Sequence, residues 1–321
     1  MTAYPLPALQ DDAWRLIAGI TTLLVLASLV GQVLRIAVAR RQPHPAIDNL
    51  NRRIGAWWVI ALLVGLALLA GRIGVTLLFA LASLAALREF VAAEPTGRIP
   101  QAFLLGSYLL VLPLQYLLVW KGSYLLYCLF IPIYVVLVLP MLGLLSGQLR
   151  DFLDRTRSLQ LGLLSCVYGI SYVPALLTLQ ITGQSGQNNA YLLVYLLLVV
   201  QLSDVLQYLW GRLAGRHAIA PQLSPAKTIE GTLGGILSAS ALGAGLASIT
   251  PFTVPEAAMI SLLITLLGFL GGLAMSAAKR RRGIKDWSSL IPGHGGMLDR
   301  LDSLFLSAPV FFHLLLYGWA T

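Results

Sequence analysis

A chain of 321 residues that is 58% apolar and only 11% charged has too little polar surface to cover a water-soluble globule, which normally carries about a quarter charged residues. Lipid accepts the surface that water rejects, so the composition excludes a soluble domain and points to an all-α, polytopic integral membrane protein. The net charge of +9 does not indicate a nucleic-acid binder, because the basic residues sit between long apolar runs and form no continuous face.

In chain order, about ten runs are long enough to cross roughly 30 Å of hydrocarbon. They cover 14–38, 54–70, 73–88, 103–119, 123–145, 160–178, 190–210, 232–250, 257–278 and 303–320. Asp11 and Asp12 stand where a cleavable secretory signal would carry Lys or Arg. The second and third runs share only Gly71-Arg72, and read either as a tight hairpin or as one re-entrant element. Cys128 and Cys166 fall inside apolar runs, as inert packing residues do.

Charge placement orients these spans. With both termini outside, the cytoplasmic loops take every one of the 22 basic residues except Arg15, Arg72 and Lys121. The expected organisation is an N-terminal set of about six spans over 1–189 and a C-terminal catalytic region over 190–321. That second region carries two cytoplasmic loops, 211–231 and 279–302. There is no internal repeat, heptad array or zinc spacing.

The loop at 279–302 holds the candidate chemistry. Asp286, Asp299 and Asp302 are hard oxygen donors suited to Mg²⁺, and Asp299 and Asp302 share a helix face at i, i+3. Lys279, Arg280, Lys285 and Arg300 can neutralise a polyphosphate. Pro292-Gly293-His294-Gly295-Gly296 lets the backbone approach an anionic ligand closely. Taken singly, the Lys279–Arg282 run is an ordinary membrane anchor, and Asp299 or Asp302 is an ordinary helix cap. A mere anchor needs no carboxylates, however, and this chain otherwise has few. The set has the parts of a metal-assisted phosphoryl or nucleotidyl transfer site.

Ser276, Lys279-Arg280, Lys285-Asp286, His294-Gly295-Gly296 and Asp299-Arg300-Leu301-Asp302 resemble the signature of the CTP-dependent phosphatidate cytidylyltransferases, or CDP-diacylglycerol synthases. Ala278 departs from it, where a larger apolar residue is usual. Ser224-Pro225-Ala226-Lys227-Thr228-Ile229-Glu230-Gly231 and Gly234-Gly235 resemble a second stretch of the family, although Ser224-Pro225 also fits a helix N-cap with proline at the first position. Asp204 and Tyr208 with Gly211-Arg212 and Gly215-Arg216 resemble a third, and Arg88-Glu89-Phe90 is similar to the family as well. The resemblance covers roughly 190–305.

It implies transfer of CMP from CTP to phosphatidate, with Asp299, Asp302 and Asp286 on Mg²⁺. Lys227, Lys279, Arg280, Lys285 and Arg300 would meet phosphates, and Ser224, Thr228, Ser276, Asp204, His294, Gly295 and Gly296 would shape the substrate site. The implied partners are CTP, phosphatidate or a related anionic lipid, and the bilayer, in a bacterial inner membrane. A homodimer is the assembly allowed for, and no nucleic acid is expected. Gly272 stands where the family often has an acidic metal ligand, which suggests a divergent paralogue. Two other readings are a CTP-dependent lipid-alcohol kinase, and a transporter or non-catalytic scaffold. A transporter should place ionisable groups at the midplane of several spans, whereas here Asp204 is the main such residue.

Overall fold

The computed structural model describes residues 11–37, 45–94, 99, 101–145, 149–181, 189–293 and 295–320. Backbone amides and carbonyls have no water partners inside a bilayer, so apolar runs of this length must satisfy them internally as helices. The helices are α1 (Asp11–Ala37), α2 (Pro45–Leu69), α3 (Gly71–Ala92), α4 (Gln101–Lys121), α5 (124–145), α6 (149–178), α7 (Asn189–Ala214), α8 (Ile229–Gly245), α9 (Val254–Arg281) and α10 (Leu304–Gly318). A helical turn at Leu298–Leu301 leads into α10.

Among the described residues eight helices are long and apolar enough to cross a membrane, two fewer than the ten expected. The expected spans at 123–145 and 232–250 fall short. The apolar helix that opens α5 runs only over Tyr124–Val138, and wide π turns interrupt it at Phe130–Val135. α8 is only 17 residues long and rich in glycine. The second and third runs prove to be two separate helices, with candidate spans 23 and 22 residues long, rather than one re-entrant element. Gly71, at φ +68°, opens α3 directly after Ala70 and makes so tight a hairpin feasible.

α6 is the central rod: 72% of its apolar window is buried, against 6% for α1 and for α2, which therefore face lipid. Around α6 pack α3, α4, α5 and α10. Tyr127, Tyr172 and Phe312 fill the space between α5, α6 and α10 with edge-to-face ring contacts. His313, in the same layer, sits 2.7 Å through Nδ1 from the Pro309 carbonyl of its own helix.

A two-stranded antiparallel hairpin, β1 (Ala218–Ala220) and β2 (Ser224–Thr228), interrupts the helices between α7 and α8. It corrects the reading of Ser224-Pro225 as a helix cap. Ser224 is paired with Ala220 in the hairpin, and α8 is capped instead by Thr228, whose Oγ1 accepts from the Gly231 amide at 3.1 Å. α7 and α8 then cross closely: a Cβ on Gly235 would stand 2.5 Å from the Gln207 amide nitrogen. The hairpin, the C-terminal ends of α3, α7 and α9, and the start of α10 gather at one end of the bundle.

Candidate active site

Two buried carboxylates hold the loop between α9 and α10 in shape. Asp299 Oδ1 accepts from Lys279 Nζ at 2.7 Å, while its Oδ2 accepts from the amides of Trp287 (2.9 Å) and Gly296 (2.8 Å). Glu89, on α3, takes three more donors. Its Oε1 accepts from Ser288 Oγ (2.7 Å) and the Met297 amide (2.9 Å), and its Oε2 from the Leu298 amide (2.9 Å). Charged acceptors make stronger hydrogen bonds than neutral ones, so this loop is fixed from both sides. Sequence reasoning places Glu89 within Arg88-Glu89-Phe90 but assigns it no role. A carboxylate closing an otherwise apolar run was the available signal.

Gly296 is packed against that carboxylate. An alanine Cβ there would lie 2.4 Å from Glu89 Oε2, too close for a buried contact. Gly296→Ala is therefore expected to lower stability by about 1–3 kcal/mol, measured as a drop in the thermal midpoint in detergent. A midpoint unchanged by the substitution would contradict this packing.

The basic run after α9 does more than anchor it. Arg282 pairs with Glu94, donates to Ser158 Oγ (2.9 Å) and the Ala278 carbonyl (3.0 Å), and lies 4.3 Å above the Phe90 ring. Phe90 in turn stacks on Trp287 at 5.1 Å. Arg282 thus clasps α3, α6 and α9 together. Arg280 is exposed and donates to the Leu223 carbonyl at 3.1 Å, tying the β hairpin to α9. Lys285 and Asp286 are exposed, and Ser276 Oγ donates to the Gly272 carbonyl at 2.7 Å. His294 lies outside the described residues. Gly295 occupies left-handed backbone at φ +82°, and a Cβ there would come 2.7 Å from Asp299 Oδ2.

The second loop is ordered by Glu230, which accepts from the amides of Arg216 (3.0 Å) and His217 (3.2 Å) and meets His217 Nδ1. The Arg216 amide first, and then the His217 ring, hold its carboxyl below the usual carboxylate range, at about 2. A depressed carboxylate contributes order above its unfolded value and loses it as the pH falls. Hydrogen-exchange protection of the Arg216 and His217 amides should therefore decline between about pH 4 and about pH 2. In Glu230→Gln that decline should be absent.

Asp302 and Asp204 interact electrostatically with each other, and Lys227, Lys279 and Arg300 act on Asp302. Asp204 also feels Lys227 and Arg300 and faces Ser303. Lys227 Nζ lies 4.9 Å above the Phe269 ring and 3.2 Å from where a Cβ on Gly272 would stand, and that same point is 3.9 Å from Asp302 Oδ2. At the neighbouring glycine, Gly271, the Asp302 carbonyl approaches to 2.5 Å of the corresponding Cβ position, which locks α9 against the entry to α10. Asp204, Lys227, Lys279, Arg300 and Asp302 are thereby brought together. Arg280, Lys285 and Asp286 remain at the exposed margin.

Among the described residues no group of three or more His, Cys, Asp or Glu side chains is placed to hold a metal ion. Asp299 spends three of its four lone-pair positions inside the loop. Asp204 and Asp302 are the carboxylates not committed to the loop, and Asp204 faces the buried Ser303 hydroxyl. Two hard carboxylates and a hydroxyl fit one divalent cation that draws its other ligands from water or phosphate.

A model of the cytidylyltransferase family matches residues 51–317. The chain belongs to the cytidylyltransferase family. It is 35% identical over 304 residues to the uncharacterized protein YnbB of Escherichia coli (strain K12), covering 94% of this chain and 97% of that one. It is 32% identical over 189 residues to a phosphatidate cytidylyltransferase of Rickettsia bellii (56% of this chain, 79% of the relative). A phosphatidate cytidylyltransferase of Staphylococcus aureus (strain COL) is 32% identical over 153 residues, 47% of this chain and 58% of its own length. The match to the cytidylyltransferase family takes in both polar loops, α3 with Glu89, and all of α7 to α9.

Proposed function

We propose that this protein transfers CMP from CTP to phosphatidate, releasing pyrophosphate and forming CDP-diacylglycerol for phospholipid synthesis. The observation that carries the reading is Lys227 Nζ and Asp302 Oδ2 meeting beside Gly272, with Asp204, Lys279 and Arg300 in electrostatic reach, at one end of a bundle of apolar helices. A phosphatidate oxygen attacks the α-phosphorus of CTP, and the bond to the pyrophosphate oxygen breaks. The attacking phosphate oxygen is already ionised near neutral pH, so no strong general base is needed. What the site must supply is alignment and neutralisation of charge.

Mg²⁺ held by Asp302 and Asp204 would offset charge on the phosphate oxygens. Lys227 and Arg300 then neutralise the triphosphate, while Lys279 and Asp299 keep the loop amides in place. The charge distribution along the chain supports a cytoplasmic site with both termini outside.

The decisive experiment incubates purified protein with Mg²⁺, labelled CTP and phosphatidate. CDP-lipid and pyrophosphate are the expected products. Phosphorylated lipid with CDP would instead mark a CTP-dependent lipid kinase, and intact CTP after long incubation would overturn the proposal.

A further inference from the structure

We infer that Lys227 is the built-in counter-cation of the Asp204–Asp302 pair and that Gly272 is the gap that admits it. Three observations meet at this point. Lys227 leaves the end of β2 and lays its ammonium over the face of Phe269, one turn before Gly272 on α9. Nothing but Lys227 Nζ (3.2 Å) and Asp302 Oδ2 (3.9 Å) comes near the side-chain position of Gly272. Both carboxylates feel Lys227, and Asp204 also acts on Asp302.

The neighbouring glycine, Gly271, has a different purpose. A Cβ on Gly271 would stand 2.5 Å from the Asp302 backbone carbonyl, so its lack of a side chain serves helix packing. Gly272 meets no backbone atom. Its missing side chain leaves room for a charge.

Physically, an acidic side chain at 272 would draw the ammonium into an ion pair, or would add a third carboxylate to the acid pair. Without it, the fixed positive charge of Lys227 stands beside two hard oxygen donors and repels a second divalent ion. The acid pair therefore accepts at most one divalent cation, and the tethered ammonium performs the neutralising that a further metal would otherwise supply. The inference rests on this acid pair being the cation site of the proposed transfer, but its readout is the number of ions bound and not turnover.

The test is a titration of the full-length protein in detergent with Mn²⁺, a paramagnetic stand-in for Mg²⁺, counting bound ions by electron paramagnetic resonance. Wild type is expected to hold at most one ion per chain. Lys227→Met combined with Gly272→Asp is expected to hold one more than wild type, and Gly272→Ala the same number as wild type. Two tightly bound ions in wild type would overturn the inference, whether or not the variants fold. So would a double variant that elutes as wild type on gel filtration yet binds no additional ion. A chain that makes no CDP-lipid but gives the expected counts would sink the proposed reaction and leave this inference standing.

Discussion

Asp302→Asn is expected to reduce CMP transfer by on the order of a thousandfold, with the protein still folded. The substitution keeps the size of the side chain and removes one of the two carboxylates available for a cation. Unlike Asp299, Asp302 is not committed to the loop amides, and Asp204 already opposes it electrostatically, so the cost to stability should be small. Product formation from labelled CTP under saturating phosphatidate gives the rate, and the thermal midpoint gives the control. Full activity in a folded Asp302→Asn protein would remove this residue from the reaction. The same substitution at Asp299 should behave differently, lowering activity and stability together, because Asp299 holds Lys279 and two amides.

Lys279→Met should be the most destabilising single change at this end of the bundle. The Lys279–Asp299 pair is nearly sealed from solvent, with side chains 12% and 5% exposed. Breaking a buried ion pair from one side leaves the other charge without its partner and costs about 3–5 kcal/mol. The loss should appear as a lower midpoint of thermal unfolding in detergent. The Lys279→Met, Asp299→Leu double variant should recover only part of it, because the Trp287 and Gly296 amides would then be buried without an acceptor. Complete recovery would mean that those two amide bonds carry no weight.

Several of these elements are readable in the residue order for one physical reason. In an apolar chain every carboxylate is conspicuous, so Asp299, Asp302, Asp204 and the loops that carry them stand out from the amino-acid sequence alone. Helix positions are equally legible, since a bilayer leaves the backbone little choice. The shortness of α8, 17 residues with five glycines, is not legible in its apolar character. The division of labour between Asp299 and Asp302 is not legible. Their i, i+3 spacing predicts a shared face, whereas the structure commits one to loop amides and leaves the other facing Asp204 and Lys227. Nor could spacing reveal that Arg282 clasps Glu94 and Ser158, because such pairings exist only after α3, α6 and α9 have packed.

Glu89 closes bonds to amides 208 and 209 residues further along the chain. During synthesis that carboxylate enters the membrane long before its partners exist, and Asp204 likewise precedes Asp302. The polar centre is thus completed only when the loop between α9 and α10 has been made. Any truncation before Ser288 would leave two early acids without their partners.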